Sequence, residues 1–359
     1  MNSICVSPHH SVSVVMCTYN GEKFLREQLD SIIAQTYPIY EIIVQDNQSS
    51  DATMDILKEY AQRYSNIKIY TRPQFTYSID DDKIRQTIND NFFSAIEKAN
   101  GDYIAISDQD DIWVNTKVEE QMHSIGNHLC CFHLSPSFST RPNYNYTDKR
   151  AYNYGLERLL FFGAIPGHTM LIDKNLYVLL QKHISVNTLH QITNSCCYDT
   201  ILGCIATSYG SIVYIPKALS FHRIHTSNAS VAGITRRDCS KRNVKNALHL
   251  VSRNLNPQLR RQLSPIIRRR LTNINLLLNS FPDAPRKYTN EAYIYKMIRC
   301  YTGNNIWNKY VYFTWLAIRN RNKIFYAAEK NQAVAILRAL LFPITMYDAF
   351  WSDYNRLKK

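Results

Sequence analysis

The chain has 359 residues, of which 45% are hydrophobic and 20% charged, and it contains only 10 glycines. This composition excludes a disordered or collagen-like chain, and the length suits two structural units of roughly 100–200 residues each. The net charge of +13 is uneven, because residues 231–359 hold 24 Lys and Arg against 6 Asp and Glu, while residues 1–230 hold 18 against 23. The basic final third predicts an anionic partner surface, either a membrane or a nucleic acid; a solvated basic helical surface is the alternative.

The nine cysteines are odd in number and form no Cys-x-x-Cys pair, so the sequence predicts neither a disulfide framework nor a zinc site. Several of them lie in apolar runs, and a reducing compartment fits this use best. No stretch of about 18 residues is apolar throughout and free of charge, so no conventional membrane span is expected. Together these observations predict a cytoplasmic protein.

Apolar runs and amphipathic segments alternate through the first 107 residues. The predicted strands are Ser11–Cys17, Glu41–Gln45, Asn66–Tyr70 and Asp102–Ser107, and the predicted helices are Glu22–Gln35, Ala52–Tyr64 and Asn91–Asn100. Strands that alternate with helices predict parallel βαβ units and an α/β sheet. Polar residues follow the first, second and fourth strands at their carboxyl ends, which is the edge where such sheets bind ligands.

The remaining sequence is less regular. Residues 74–89 and 135–154 are predicted to be loops, and from about Asp238 onward the spacing is mostly helical. The segment Ala333–Trp351 is apolar but contains two charged residues and a proline, so it predicts a helix at a membrane interface rather than a span.

Three carboxylates, those of Asp108, Asp110 and Asp111, follow the fourth strand within four residues. Because like charges this close repel, a cation, solvent or capping donors must compensate them. Mg²⁺ and Mn²⁺ prefer carboxylate and phosphate oxygens. Because alternate side chains at the end of a strand point the same way, Asp108 and Asp110 are expected to face one ligand. Asp111 is expected to cap the helix that begins near Val114; in the alternative, the whole cluster serves only as that cap.

The sequence has neither the Gly-x-Gly-x-x-Gly fingerprint nor a phosphate-binding Gly-x-x-x-x-Gly-Lys-Ser/Thr loop. A nucleotide site must therefore use carboxylates and a divalent cation. Asp46 and Asp51 lie in the loop after the second strand, which predicts a base and ribose contact at Asp46 and a metal–diphosphate contact at Asp110.

Residues 11–120 resemble the donor-binding half of family 2 glycosyltransferases, which have the GT-A fold. The resemblance rests on Ser11–Leu57, with its Thr-Tyr-Asn and Asp-x-x-Ser-x-Asp segments, and on Asn89–Trp113, with its Asp-x-Asp-Asp segment. The form DQDDIW, followed later by Gly167-His168-Thr169, is most similar to bacterial rhamnosyltransferases of polysaccharide assembly.

The resemblance implies an α/β GT-A domain over residues 1–230, with a nucleotide-sugar half at about 11–120 and an acceptor half at about 121–230. Residues 231–359 form a basic, mostly α-helical region expected to meet an anionic membrane surface. The implied enzyme is an inverting glycosyltransferase that uses Mn²⁺ or Mg²⁺. It moves a sugar, best matched by rhamnose from dTDP-rhamnose, to a lipid-linked oligosaccharide or polysaccharide acceptor in O-antigen or capsule synthesis. Its expected location is peripheral, on the inner face of the cell membrane, with no nucleic-acid partner.

The resemblance also implies roles for individual donor-site residues. Thr18, Tyr19 and Asn20 would line the nucleotide pocket, Asp46 would contact the base, Asp108 would lie near the ribose, and Asp110 would bind the metal.

On the catalytic and acceptor side, Asp199 lies where the family has its catalytic base, although its neighbours Tyr198 and Thr200 depart from the family pattern. Its alternative role is a helix N-cap. Arg223 or His225 would meet the diphosphate. His225 would also be a metal ligand, or else only close a loop. Trp113 and His168 would lie on the acceptor side, with core packing as the alternative for each.

Other functions remain open from sequence alone. The same fold can use a UDP-hexose or a UDP-N-acetylhexosamine, and nothing in the nucleotide loops separates these donors. The basic final third, where tyrosines lie near Lys and Arg, is also compatible with a nucleic-acid-binding protein. The departures at Tyr198 and Thr200 leave open a glycosyltransferase-like module that binds glycan without turnover.

Overall fold

The computed structural model describes residues 10–72, 77–78, 81–145, 154–161, 165–225, 252–284, 291–302, 308–324 and 332–350. Within these ranges a sheet flanked by helices is followed by a helical region.

Among the described residues, ten strands form one large and one small sheet. They are β1 Val12–Thr18, β2 Ile39–Asp46, β3 Ile67–Thr71, β4 Tyr103–Ser107, β5 Ile112–Trp113, β6 Cys130–Leu134, β7 Ser137–Phe138, β8 Leu171–Asp173, β9 Ile212–Ala218 and β10 Ser220–Arg223. The large sheet has the order β3-β2-β1-β4-β8-β6-β9, in which β8 is antiparallel to both of its neighbours and the other pairs are parallel. The small sheet has the order β5-β10-β7.

In the part of the chain that the structure describes, residues 252–255 are helical and thirteen further α-helices are present. They are α1 Leu25–Ile33, α2 Thr53–Arg63, α3 Lys83–Lys98, α4 Lys117–Ile125, α5 Leu156–Leu159, α6 Lys174–His183, α7 Val186–Thr193, α8 Tyr198–Ser208, α9 Pro257–Asn279, α10 Glu291–Thr302, α11 Phe313–Arg319, α12 Arg321–Ile324 and α13 Gln332–Thr345. Shorter turns are the 3-10 helices Gly167–Thr169 and Met346–Phe350 and the π-helix Asn308–Tyr312.

The predicted α/β architecture is confirmed. The apolar run of β1 is almost entirely buried, as expected for a central parallel strand with both faces covered. Because β1 lies between β2 and β4 in parallel register, the loops after these three strands meet at one edge of the sheet. The seven cysteines among the described residues are free.

One predicted loop is partly helical. Helix α3 begins at Lys83, inside the 74–89 segment, and the Asp82 side chain caps it by accepting a hydrogen bond from the Arg85 amide at 3.1 Å. The first turns bury polar side chains, including Gln86 and Asn89, which hydrogen-bond to helix α7 and the residues after it. Since the buried face is polar there, the sequence lacks the apolar periodicity that would have indicated a helix.

The C-terminal helices are packed onto the sheet domain. Helix α9 contacts α7 and α8, and one apolar cluster extends from Val15 in β1 to Phe350 near the C-terminal end of the described chain. The predicted helical character of this region is confirmed. Of the predicted interfacial segment, Trp351 lies outside the described residues. Among the helices that are described, none is both long enough and apolar enough to cross a membrane.

Candidate active site

The loops after β1 and β2 are tied together by one carboxylate. Asp46 accepts hydrogen bonds from the Thr18 hydroxyl at 2.8 Å, from the Ser49 amide at 2.8 Å and from the Ser49 hydroxyl at 2.6 Å. Asp46 is fully buried and Thr18 is nearly so. This carboxylate shapes the loop, and its predicted contact with a base stays a prediction.

The loops after β1 and β4 are joined by the side chain of Gln109. Its amide accepts from the Tyr19 N–H at 2.9 Å and donates to the Tyr19 carbonyl at 3.1 Å. The neighbouring Asn20 adopts a positive φ of 48° and accepts the Ser50 amide at 2.8 Å. The Tyr19 side chain remains 57% exposed, so the loop presents this aromatic ring at the edge of the sheet.

Asp111 does not cap a helix, and the alternative that the cluster only caps the next helix is also wrong. Helix α4 begins later, at Lys117 with Thr116 at the N-cap. Asp111 is fully buried. Its Oδ1 accepts the Arg223 amide at 3.0 Å and lies 3.1 Å from His222 Nδ1. Strand β10 pairs with β5 and brings these partners to Asp111, across more than 100 residues of sequence.

Asp108, Asp111, His168 and His222 each place one ligand atom within 4.8 Å of the others. His168 Nδ1 lies 3.4 Å from Asp108 Oδ2 and 3.8 Å from Asp111 Oδ2. The buried Asp111 Oδ2 and His168 Nε2 have no hydrogen-bond partner. Burial alone would lower the pKa of His168, but Asp111 and Asp108 raise it to about 9. Two carboxylates and two imidazoles with an unsatisfied oxygen fit a divalent cation.

The two predicted metal ligands, Asp110 and His225, are in direct contact. His225 Nε2 lies 2.7 Å from Asp110 Oδ2, and the Phe24 ring packs 4.8 Å from the imidazole. Burial, with the charges of Asp108 and Asp111, raises the pKa of Asp110 to about 6 even though His225 opposes the shift. A cation would relieve this repulsion, so the pair also fits a divalent metal.

Arg223 is held by other protein groups at this edge. Its guanidinium pairs with Glu27 at 2.6 Å, donates from Nε to the Asp110 carbonyl at 3.0 Å, and lies between the Phe24 and Phe138 rings. Arg223 is 6% exposed. These contacts fix the backbone of the acidic cluster, and a contact between Arg223 and a diphosphate stays a prediction.

Trp113 lies in the core beneath the site. It is 2% exposed, and Lys117 Nζ lies 3.6 Å from the centre of its ring. Burial lowers the pKa of Lys117 to about 7. This placement favours the core-packing alternative for Trp113 over an exposed surface for an acceptor.

Asp199 is the second residue of α8, and the N-cap position belongs to Cys197. Asp199 is therefore not the N-cap, although its Oδ1 accepts the Thr200 amide at 2.6 Å. Burial raises the pKa of Asp199 to about 6, and Asp108 adds to the rise while Arg270 of α9 opposes it. Such a carboxylate can accept a proton near neutral pH. The sequence did not indicate Arg270, which lies 71 positions away.

The start of α8 is positioned by Tyr198. Its amide donates to Asn89 Oδ1 at 2.6 Å, and its ring stacks on Phe92 with 4.0 Å between ring centres. A Cβ atom added to Gly167 would lie 2.0 Å from the Tyr198 hydroxyl. The missing side chain of Gly167 therefore leaves room for the Tyr198 ring to pack against the backbone there. The position of Tyr198 in turn fixes the position of its neighbour Asp199.

We expect Gly167→Ala to destabilise the protein by about 1–3 kcal/mol, because the added methyl group displaces the Tyr198 ring from a packed core. Urea unfolding measures this loss. In Gly155→Ala, the matched control, the added methyl meets only the terminal carboxylate oxygen of Glu157, and the free energy of unfolding should change less. Equal effects of the two substitutions would show that the Tyr198 contact is not tight.

The fold, together with a family-model match, identifies the class of protein as a glycosyltransferase with the GT-A fold. Residues 13–175 match the family model described as glycosyl transferase family 2, so the chain contains a family 2 glycosyltransferase domain.

Known proteins support this identification. The chain is 28% identical to the dTDP-rhamnosyl transferase RfbG of Shigella flexneri over 61% of its own length and 75% of that protein. It is 31% identical to the putative teichuronic acid biosynthesis glycosyltransferase TuaG of Bacillus subtilis over 34% of its own length and 44% of that protein. Its fold is similar to the mannosyltransferase PcManGT from Pyrobaculum calidifontis in complex with GDP-Man and Mn²⁺. That comparison has a TM-score of 0.51 and 15% identity, and it covers 98% and 86% of the two chains.

Proposed function

We propose that this glycosyltransferase moves a sugar from a nucleotide donor to a hydroxyl group of a lipid-linked or polysaccharide acceptor in cell-surface polysaccharide synthesis, such as O-antigen or capsule. The observation that carries the proposal is the placement of the Asp199 carboxylate in the first turn of α8, where burial raises its pKa to about 6 and the charge of Asp108 adds to the rise. The similarity to RfbG favours dTDP-rhamnose as the donor.

The proposed reaction is a single displacement. Asp199 takes the proton of the acceptor hydroxyl, the freed oxygen bonds to the anomeric carbon, and the bond from that carbon to the nucleoside diphosphate breaks with its electron pair on the leaving group. Attack from the opposite face inverts the anomeric configuration. A divalent cation, Mn²⁺ or Mg²⁺, held at Asp110 and His225, supplies charge neutralisation for the diphosphate when bound.

The other site residues divide by their exposure. Tyr19, Asn20 and Asp108 have exposed or partly exposed atoms at the sheet edge and suit direct donor contacts. Asp46 and Trp113 are buried, so in this proposal they hold the loops whose exposed residues contact the donor.

We also propose the division into a GT-A domain, residues 1–230, and a basic region, residues 231–359, that associates with the cytoplasmic face of an anionic membrane. The boundary itself lies outside the described residues. The charge of the basic region supports the proposal, because each Lys or Arg near an anionic surface adds about 1 kcal/mol of attraction.

The rate should depend on the protonation of Asp199. Because burial raises its pKa to about 6, the carboxylate is a base above this pH and a neutral acid below it. We expect kcat at saturating donor and metal to fall about tenfold per pH unit below pH 6 and to level off above it. A pH profile of kcat tests this, and a flat profile between pH 5 and 7 would contradict the assignment.

A UDP-hexose or UDP-N-acetylhexosamine donor is the alternative within the same fold. Release of nucleoside diphosphate from dTDP-rhamnose, UDP-glucose, UDP-N-acetylglucosamine and GDP-mannose, each with Mn²⁺, separates the donors. We expect the fastest release from dTDP-rhamnose. Faster release from a UDP-sugar would establish the alternative.

A further inference from the structure

The C-terminal helical region contains a cavity that the proposed transfer reaction does not use. Its volume is about 750 Å³, and α9, the π-helix and the last 3-10 helix form its walls. The polar lining consists of Arg260, Arg261, Ser264, Arg268, Tyr310 and Tyr347. Among the described residues, the lining includes three guanidinium groups and three hydroxyl groups but no carboxylate.

Arg260 is held in this cavity between two aromatic rings. Its guanidinium lies 5.0 Å from the ring centre of Tyr310 and 5.1 Å from that of Tyr347. Its Nε and Nη2 atoms are buried and have no hydrogen-bond partner. A buried donor without an acceptor is costly, and an oxyanion would satisfy both atoms with the fork geometry that guanidinium groups use for phosphate. The two rings hold the guanidinium in advance, which reduces the entropy lost on binding.

The helix that forms one wall is strongly basic. Helix α9 carries five arginines and no acidic residue. Arg260, Ser264 and Arg268 are spaced by four, so they lie on one face of the helix. Several positive charges around one cavity favour an anion with more than one negative charge, such as a phosphate group.

The helices next to the cavity expose five large apolar side chains, which are called the apolar patch here. They are Val311, Trp315, Ile336, Leu337 and Leu340, whose exposures range from 39% to 57%. Val311 directly follows Tyr310 of the cavity, and α11 and α13 pack against each other. A cluster of exposed large apolar side chains marks an interaction surface, and when basic residues lie beside it the combination suits an anionic membrane.

We propose that the cavity binds the phosphate headgroup of a membrane amphiphile and that the apolar patch lies against the hydrocarbon chains. This inference rests on the proposed membrane association and adds the binding site and the chemistry of its ligand. Arg270 lies ten residues beyond Arg260, about 15 Å along the axis of α9, and its charge lowers the pKa of Asp199. The headgroup site and the predicted base are thus connected by a single helix.

Co-sedimentation with vesicles tests the proposal, using phosphatidylcholine alone or with phosphatidylglycerol. Loss of one charge near an anionic surface weakens binding by about fivefold wherever that charge lies. We expect Arg260→Gln to weaken binding to the phosphatidylglycerol vesicles by more than about tenfold, and the matched control Arg269→Gln, on the same helix but outside the cavity lining, by about fivefold or less. Equal losses of vesicle affinity in the two variants would show that only the total charge matters, which would overturn the proposal.

Two further variants keep the result interpretable if Arg260→Gln folds poorly. Arg268 is an exposed residue of the cavity lining, and Arg268→Gln should weaken vesicle binding more than the control Arg269→Gln does. Leu337→Ser should weaken vesicle binding without a change in charge. Pyrophosphate is the soluble probe. Cavity-dependent binding of pyrophosphate without vesicle binding would overturn the lipid assignment. Nucleotide titration of each variant separates the two claims, because intact nucleotide binding with absent vesicle binding contradicts this inference alone.

Discussion

Replacing Asp199 by asparagine is expected to lower turnover by about 10²–10⁴-fold while leaving donor affinity within about twofold. Asparagine keeps the size of the side chain, so α8 and its packing should persist, but it cannot accept the acceptor proton. The measurement is kcat and KM for nucleoside diphosphate release in the presence of acceptor extract. At saturating Mn²⁺, which keeps the Asp110 carboxylate ionised, the acid limb of the pH profile that Asp199 causes should also disappear.

Asp173→Asn is the matched control for that substitution. Asp173 caps α6 by accepting the Asn175 amide at 2.7 Å, and asparagine is an equally good N-cap. The control should keep full turnover. If Asp199→Asn also keeps full turnover, the base is another group and the mechanism proposed for this site is wrong.

The second large effect is expected at the acidic cluster. Asp110→Asn removes the carboxylate that contacts His225 and lies between Asp108 and Asp111. Loss of a metal ligand should exceed the 10–100-fold cost of disturbing a group that only supports one, so we expect the Mn²⁺ concentration for half-maximal donor turnover to rise at least about 100-fold. Titration of turnover against Mn²⁺ measures this.

Asp102→Asn is the control for the cluster, because Asp102 lies at the other end of β4 and accepts hydrogen bonds from Ser11. Its dependence on Mn²⁺ should match that of the unmodified protein. If Asp110→Asn retains a normal dependence as well, the cation is held elsewhere, and Asp108, Asp111, His168 and His222 become the preferred ligand set.

The central sheet was predictable because of how it is buried. Parallel strands that are covered on both faces have continuous apolar sequences. Such apolar sequences are present in β1, β2 and β4. The start of α3 was not predictable from the sequence, because its buried face carries the polar residues Gln86 and Asn89. Their side chains form hydrogen bonds with a distant part of the chain. A polar buried face leaves no hydrophobic signature.

Only some residues of the candidate site can be identified from local sequence. Asp108, Asp110 and Asp199 stand out locally, as acids after a strand or near the start of a helix. The role of Asp111 depends on His222 and Arg223, which reach it only because β10 pairs with β5. The pKa of Asp199 likewise depends on Arg270 from a helix packed on α8. Such contacts are set by tertiary structure, which local sequence patterns do not encode.

The proposed donor site is tested most directly by calorimetric titration of the protein with dTDP, UDP and GDP, each with and without Mn²⁺. We predict that dTDP binds most tightly, that binding requires the metal, and that Asp110→Asn raises the Mn²⁺ concentration at which the nucleotide binds. If none of the three nucleotides binds in the presence of Mn²⁺, the sheet edge around Asp108–Asp111 is not a donor site, and the proposed function is contradicted.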